Sequence, residues 1–188
     1  SRTVTLQLGS PPPPQLSSPG DGSSFDVALV TVTGTTARDT EVYILRDGTD
    51  IAGPITPDPA GVFTTDITLT PGDNVITARA TNRAGSSSAS LARTLTLRSL
   101  LTLTATPAGL TEGESGSLNV TRNHSQGTVQ VSFSDNQAGQ LTLPSPITIL
   151  DGDTEASAAV SAIDDDVAEL DQGVLVSALA STYQSSST

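Results

Sequence analysis

The feature that most constrains this chain is a turn signal that returns at short, regular intervals. Val27-Ala28-Leu29-Val30-Thr31-Val32 runs to Gly34, and Glu41-Val42-Tyr43-Ile44-Leu45 stops at Asp47-Gly48. Val62-Phe63-Thr64-Thr65-Asp66-Ile67-Thr68-Leu69 stops at Pro71-Gly72-Asp73-Asn74, and Val75-Ile76-Thr77-Ala78-Arg79-Ala80 stops at Asn82. Residues 91–97 close the set, with Leu95 and Leu97 alternating with Thr94 and Thr96. β-Branched runs punctuated by Gly, Pro, Asn and Asp roughly every 8–12 residues predict a β-sandwich or barrel. No window carries a helical period, because proline and glycine interrupt most stretches long enough to hold one.

A second set of runs begins at Leu100. It comprises Leu101-Thr102-Leu103-Thr104, Ser117-Leu118-Asn119-Val120-Thr121, Val129-Gln130-Val131-Ser132-Phe133, Ile147-Thr148-Ile149, residues 156–163 and Val174-Leu175-Val176. The expected architecture is all-β: two tandem Ig-like/Calx-beta-like β-sandwiches behind an extended N-terminal strand arm. The boundaries fall at 1–13 for the arm and its spacer, 14–98 for the first sandwich, and 99–188 for the second with its Ser/Thr-rich tail.

Composition narrows the chemistry. Aromatic residues are 3% of the chain and tryptophan is absent, so each core must be built from Val, Leu, Ile and Ala. Modules this small bury a modest fraction of their surface. A net charge of −12 repels nucleic acid and anionic membranes and suits a cell exterior or a calcium-bearing medium. All 8 basic residues are arginines, which excludes lysine Schiff-base chemistry and a P-loop. With no cysteine there is no disulfide framework, thiolate metal site or cysteine nucleophile. No apolar run approaches the roughly 18 residues of a membrane-spanning helix. Ser1 is not a start methionine, so either a leader has been removed or the chain is a fragment.

The two ends are unusual. Arg2-Thr3-Val4-Thr5-Leu6, continuing into Gln7 and Leu8, closely repeats Arg93-Thr94-Leu95-Thr96-Leu97, the expected last strand of the first module. Pro11-Pro12-Pro13-Pro14 follows as a stiff extended spacer. At the other end the chain reaches Thr188 soon after Val176.

From about Pro14 to Leu97 the chain resembles bacterial Ig-like domains of the glucodextranase-B kind. The resemblance is carried by Val32-Thr33-Gly34, Asp47-Gly48, Gly61-Val62-Phe63, the run from Leu69 through Gly72-Asp73-Asn74-Val75-Ile76, and Ala80-Thr81-Asn82-Arg83-Ala84-Gly85. Such domains act as spacers or carbohydrate-adjacent modules. From Leu101 to about Thr182 the chain resembles a Calx-beta domain, through Thr111-Glu112-Gly113, Val120-Thr121-Arg122 and Ile163-Asp164-Asp165-Asp166-Val167-Ala168-Glu169. That resemblance implies calcium bound at one end of the sandwich by Glu112, Asp164, Asp165, Asp166 and Glu169. The family's final strand is not evident after Ala180, which implies an incomplete sheet.

Calcium requires six to eight converging oxygen ligands. Carboxylates packed this closely repel one another without a cation, but they also suit a solvated acidic turn. The single histidine, His124, stands in Asn123-His124-Ser125-Gln126-Gly127, where a hairpin tip and a solvated side chain are expected. A general base needs burial and an orienting partner, and no Gly-x-Ser-x-Gly is present for a serine nucleophile. Asn119-Val120-Thr121 and Asn123-His124-Ser125 are glycosylation-type triplets, and Asn123, at the turn, is the better acceptor.

These features point to an extracellular or cell-surface structural protein, not an enzyme. Residues 2–8 would enter the incomplete sheet of a second copy by β-augmentation, and such head-to-tail contacts would build a filament or pilus-like fibre. An adhesin stalk, in which residues 2–8 are the end of a preceding module, accounts for the same features. The alternative is a calcium- or carbohydrate-binding accessory module of a secreted multidomain protein. The partners are then copies of this chain or neighbouring modules, without nucleic acid or membrane insertion.

Overall fold

A computed structural model describes residues 9–164 and 173–183, together with a short strand at Ser186–Ser187. Among the described residues every regular element is a β-strand, and no helix is long and apolar enough to cross a membrane. The chain divides into two compact units between Leu97 and Arg98.

The first unit contains β1 (Gln15–Ser18), β2 (Ser24–Phe25), β3 (Leu29–Thr35), β4 (Glu41–Arg46), β5 (Thr49–Ile55), β6 (Val62–Thr68), β7 (Gly72–Asn82), β8 (Gly85–Ser86) and β9 (Arg93–Leu97). One sheet has the order β1-β3-β6; the other runs β2-β9-β7-β4-β5, with β8 folded onto β7. Neighbours are antiparallel except β2 and β9. This is an Ig-like sandwich.

Period-two alternation builds its core. Val30 and Val32 of β3 and Phe63 and Ile67 of β6 face Val42 and Ile44 of β4, Ile76 and Ala78 of β7, and Leu95 and Leu97 of β9. Phe63, the largest buried side chain, stands opposite Gly34 in register. A Cβ on Gly34 would collide with the Phe63 ring and the Gln15 carbonyl, so this glycine is the space the ring occupies.

β6 ends at Thr68, just before Pro71-Gly72-Asp73-Asn74 as the sequence pattern predicts, but the next strand begins inside that run and not at Val75. Gly72 opens β7 at φ 85° and pairs with Leu97. The reason is Asn74, whose fully buried amide does the turn's hydrogen bonding. Its Oδ1 accepts from the Thr70 N–H (2.9 Å) and hydroxyl (3.0 Å), and its Nδ2 donates to the carbonyls of Thr70, Gly72 and Leu95. β1, β2, β5 and β8 escape the sequence pattern. β1 buries only Leu16, and β5 carries Gly53-Pro54 and pairs irregularly with β4.

The second unit contains β10 (Leu101–Thr106), β11 (Ser115–Arg122), β12 (Val129–Asp135), β13 (Leu141–Thr142), β14 (Ile147–Ile149), β15 (Glu155–Ala162), β16 (Val176–Leu179) and β17 (Ser186–Ser187). Its sheets have the orders β10-β11-β15-β13 and β14-β12-β16-β17, all antiparallel. Leu101, Leu103, Leu118, Val120 and Val160 from the first pack against Val129, Val131, Ile149, Val176 and Ala178 from the second. The strand expected at Val174-Leu175-Val176 lies slightly later, where Val176 and Ala178 are the inward pair.

Candidate functional site

Among the described residues, an acidic turn, a buried polar cluster and a cleft stand out, all of them in the second unit.

The first is the acidic end implied by the Calx-beta resemblance. Residues 111–114 form a tight turn: the Glu114 N–H donates to the Thr111 carbonyl (2.9 Å), and the Thr111 N–H donates to Glu114 Oε2 (3.1 Å). Gly113 adopts φ 77°. The Glu114 carbonyl accepts from the Ala162 N–H at 2.9 Å, fastening the turn to the end of β15. Bonds from the Thr111 side chain and then its backbone hold the Glu114 carboxyl below its ordinary pKa of 4.5. The turn therefore lies beside Asp164: a Cβ on Gly113 would stand 3.7 Å from Asp164 Oδ2. Glu112 is exposed on the same turn. Asp165, Asp166 and Glu169 lie outside the described residues, and among the described residues no group of three or more His, Cys, Asp or Glu side chains could hold a metal ion.

The second place is a buried polar cluster, and it corrects the expectation of a solvated His124. The histidine is buried, with 8% of its surface exposed. Its Nε2 meets Ser99 Oγ and the Tyr183 hydroxyl, each at 3.0 Å, and Nδ1 has no partner of hydrogen-bonding geometry. Burial, then the neighbouring charge of Arg122, lowers its pKa below the ordinary 6.5, with the Gln126 backbone opposing. Arg122 is itself 5% exposed. Its guanidinium donates to five backbone carbonyls, those of Ser125, Gln126, Gly127, Leu150 and Asp153, and to the Tyr183 hydroxyl. Every bond ties a loop to the end of β11, so this arginine organises the loops after β11 and after β14. Asn123 is similarly engaged: its Nδ2 donates to the Arg98 carbonyl (2.8 Å) and its Oδ1 accepts from the Leu100 N–H (2.9 Å). A glycan on Nδ2 would have to disrupt the Arg98 bond.

The sequence signal for this cluster was the alternation itself. Leu118, Val120, Arg122 and His124 share one phase, so the core face of β11 continues into the arginine and the histidine.

The third place is a cleft of about 540 Å³ beside β16, lined by Leu118, Leu141, Val160 and Val176 together with Thr111 and Glu114. The candidate donor segment, residues 2–8, lies outside the described residues. Its near-repeat, β9, shows what such a sequence does in this molecule. It pairs antiparallel with β7, buries Leu95 and Leu97 to 1% exposure, and keeps Thr94 and Thr96 on the other face. Arg93 anchors it by donating to the carbonyls of Leu16 and Pro19.

The geometry defines an all-β chain of two sandwich units, with its polar groups used to fasten loops. Residues 12–99 match the family model of glucodextranase domain B, over the same segment that resembles this family by sequence. No curated protein matches the chain. Similar solved structures include the fibronectin(III)-like modules of Clostridium thermocellum CbhA, at 17% identity over 93% of this chain and 92% of theirs, with a TM-score of 0.37. The adhesin InvE of Yersinia pseudotuberculosis is 13% identical over 93% of this chain and 56% of its own, with a TM-score of 0.43. A beta-glycosidase from Bacteroides vulgatus is 11% identical over 93% of this chain, with a TM-score of 0.38. The chain spans 24% of that glycosidase and 56% of the adhesin.

Proposed function

We propose that this chain is an extracellular structural protein, a subunit of a surface filament or a segment of an adhesin stalk. It consists of a glucodextranase-B-like Ig module followed by a Calx-beta-like module. In the filament, residues 2–8 of one subunit complete a sheet of the next, so the partner is another copy of the same chain. The observation that carries this reading is the repeat of β9. Arg93-Thr94-Leu95-Thr96-Leu97 is a buried strand at a sheet position supported by β7, and Arg2-Thr3-Val4-Thr5-Leu6 has the same alternation. A strand that finds a sheet edge gains main-chain hydrogen bonds, and its alternate side chains supply specificity.

The test is negative-stain microscopy with size-exclusion chromatography on the full chain and on a chain lacking residues 1–9. Filaments from the full chain and monomers from the shortened one are expected. Identical monomers from both would remove self-assembly and leave a stalk segment of a longer surface protein.

A second reading is an accessory module of a secreted carbohydrate-active protein, favoured by the match of residues 12–99 to glucodextranase domain B. Retention of the chain on polysaccharide affinity gels supports it. A rise in melting temperature with calcium supports the associated ion site at Glu112, Asp164, Asp165, Asp166 and Glu169.

A further inference from the structure

We propose that the first unit is a tension-bearing module, in which residues 16–25 and β9 form a clamp that resists pulling along the chain. This deepens the reading of a filament subunit or stalk segment and rests on it, since such a chain is pulled lengthwise.

The clamp joins two segments about seventy residues apart. β2 runs parallel to β9, with Ser24 beside Thr96 and Phe25 beside Leu97. Further bonds extend the contact backwards from β2. The Thr96 N–H donates to the Ser23 carbonyl and the Gly22 N–H to the Thr94 carbonyl, each at 2.9 Å. The Thr94 N–H donates to Asp21 Oδ1 at 2.7 Å. Arg93 completes the row, its guanidinium donating to the carbonyls of Pro19 (3.0 Å) and Leu16. Residues 16–25 are thus fastened along β9 from Arg93 to Leu97. On its other edge β9 pairs with β7 from Gly72 to Ile76, and Leu95 and Leu97 are buried to 1% exposure. β9 is therefore a fixed strand, past which residues 16–25 must slide if the unit is to be pulled open.

Strand direction decides how those bonds meet a load. Tension carried along the chain reaches the sandwich ahead of Gln15 and leaves it after Leu97. It pulls residues 16–25 by their N-terminal end and β9 by its C-terminal end. Because β2 and β9 are parallel, the two pulls are opposed and lie along the strands. The hydrogen bonds lie across the strands, so the row is loaded in shear and its bonds share the force. Strands pulled from adjacent ends peel instead, one bond at a time. Forced unfolding is governed by the unfolding rate, and a row of bonds that must yield together slows that rate more than the same bonds broken in series.

The chain has no native cysteine, so thiol handles can load the full chain at chosen points in a single-molecule force clamp. Gly9→Cys with Arg98→Cys pulls residues 16–25 against β9. Thr49→Cys with Leu91→Cys, both exposed, tensions only residues 50–90 and leaves both halves of the clamp outside the load path. Through the first pair, Arg93→Met is expected to shorten the lifetime at constant force about tenfold, as fits the loss of bonds from a charged group, with partial recovery by Arg93→Lys. Arg79→Met, which removes a partly exposed ion pair, should change that lifetime about twofold or less. Through the second pair, Arg93→Met should leave the lifetime unchanged. Equal shortening through both pairs would make Arg93 a general stabiliser and overturn the clamp, as would no shortening through the first. If Arg93→Met does not fold, Asp21→Ala and Asp21→Asn decide: the first removes the acceptor of the Thr94 N–H and should shorten the lifetime, the second keeps it and should not. Equal lifetimes for the two would overturn the clamp. These lifetimes are read on single molecules, so failure of the clamp leaves filaments seen by microscopy standing, and a chain that stays monomeric leaves the lifetimes standing.

Discussion

Tyr183 stacks on His124, ring centroids 5.4 Å apart and planes 24° from parallel, while its hydroxyl meets Nε2 at 3.0 Å. The same hydroxyl accepts from Arg122 at 3.3 Å. With the arginine donating to the phenol oxygen, the phenol's own proton is free for Nε2. That arrangement suits a neutral imidazole, and a protonated one would stand buried beside a guanidinium.

Acid should therefore weaken the second unit through His124. The imidazole titrates near 6.5 in the unfolded chain and lower in the fold. The stability this group contributes is complete above about 6.5, declines as pH falls from there to the folded value, and is absent below it. Melting curves from about pH 7.5 to pH 5 should show a larger loss for the native chain than for His124→Gln. Equal losses would mean that other groups, chiefly carboxylates, control the acid response.

Replacing Arg122 should cost more than replacing any surface arginine. Arg122→Met strips the partner from five carbonyls in the loops around β11, and the expected loss is about 3–5 kcal/mol in denaturant unfolding of the second unit. Arg122→Lys should recover only part of it, because an ammonium cannot span so broad a set of acceptors. Arg79, paired with Asp50 at 2.6 Å but partly exposed over Tyr43, is the control, and Arg79→Met should cost under about 1 kcal/mol.

Asn74→Ala should destabilise the first unit by at least about 2 kcal/mol, because it leaves the Thr70 N–H and carbonyl without their partner at a buried turn. Hydrogen exchange should rise at β7 and β9 together. Exchange confined to the turn would show that Asn74 does not tie the turn to the sheet.

Gly34→Ala should cost about 1–3 kcal/mol or more, since the new methyl enters the volume of the Phe63 ring. Combining it with Phe63→Leu should recover part of the loss. Strict additivity in that double-mutant cycle would argue against direct conflict between the two residues.

Much of the fold was legible because a strand's chemistry is local. The phase of Val30 and Val32, Leu95 and Leu97, or Leu118 and Val120 marks a core face without knowledge of what packs on it. The same phase extends to Arg122 and His124, yet residue type argued for a solvated hairpin tip. Alternation says which way a side chain points, whereas burial of a polar group depends on acceptors brought from elsewhere. For Arg122 these come from residues 125–127, 150 and 153 and from Tyr183, up to 61 positions away.

Sequence alone thus determined the all-β class, most strand positions, the glucodextranase-B resemblance and the acidic, lysine-free and cysteine-free chemistry, because each follows from neighbouring residues or from counting. Only tertiary structure decided that β7 begins at Gly72 with Asn74 buried within it, that Gly34 makes room for Phe63, and that Asp164 lies beside the Gly113 turn. It alone brought Ser99, Arg122, His124 and Tyr183 together. Those outcomes depend on which backbone groups and volumes meet across the sandwich, and that is set by the pairing of distant strands.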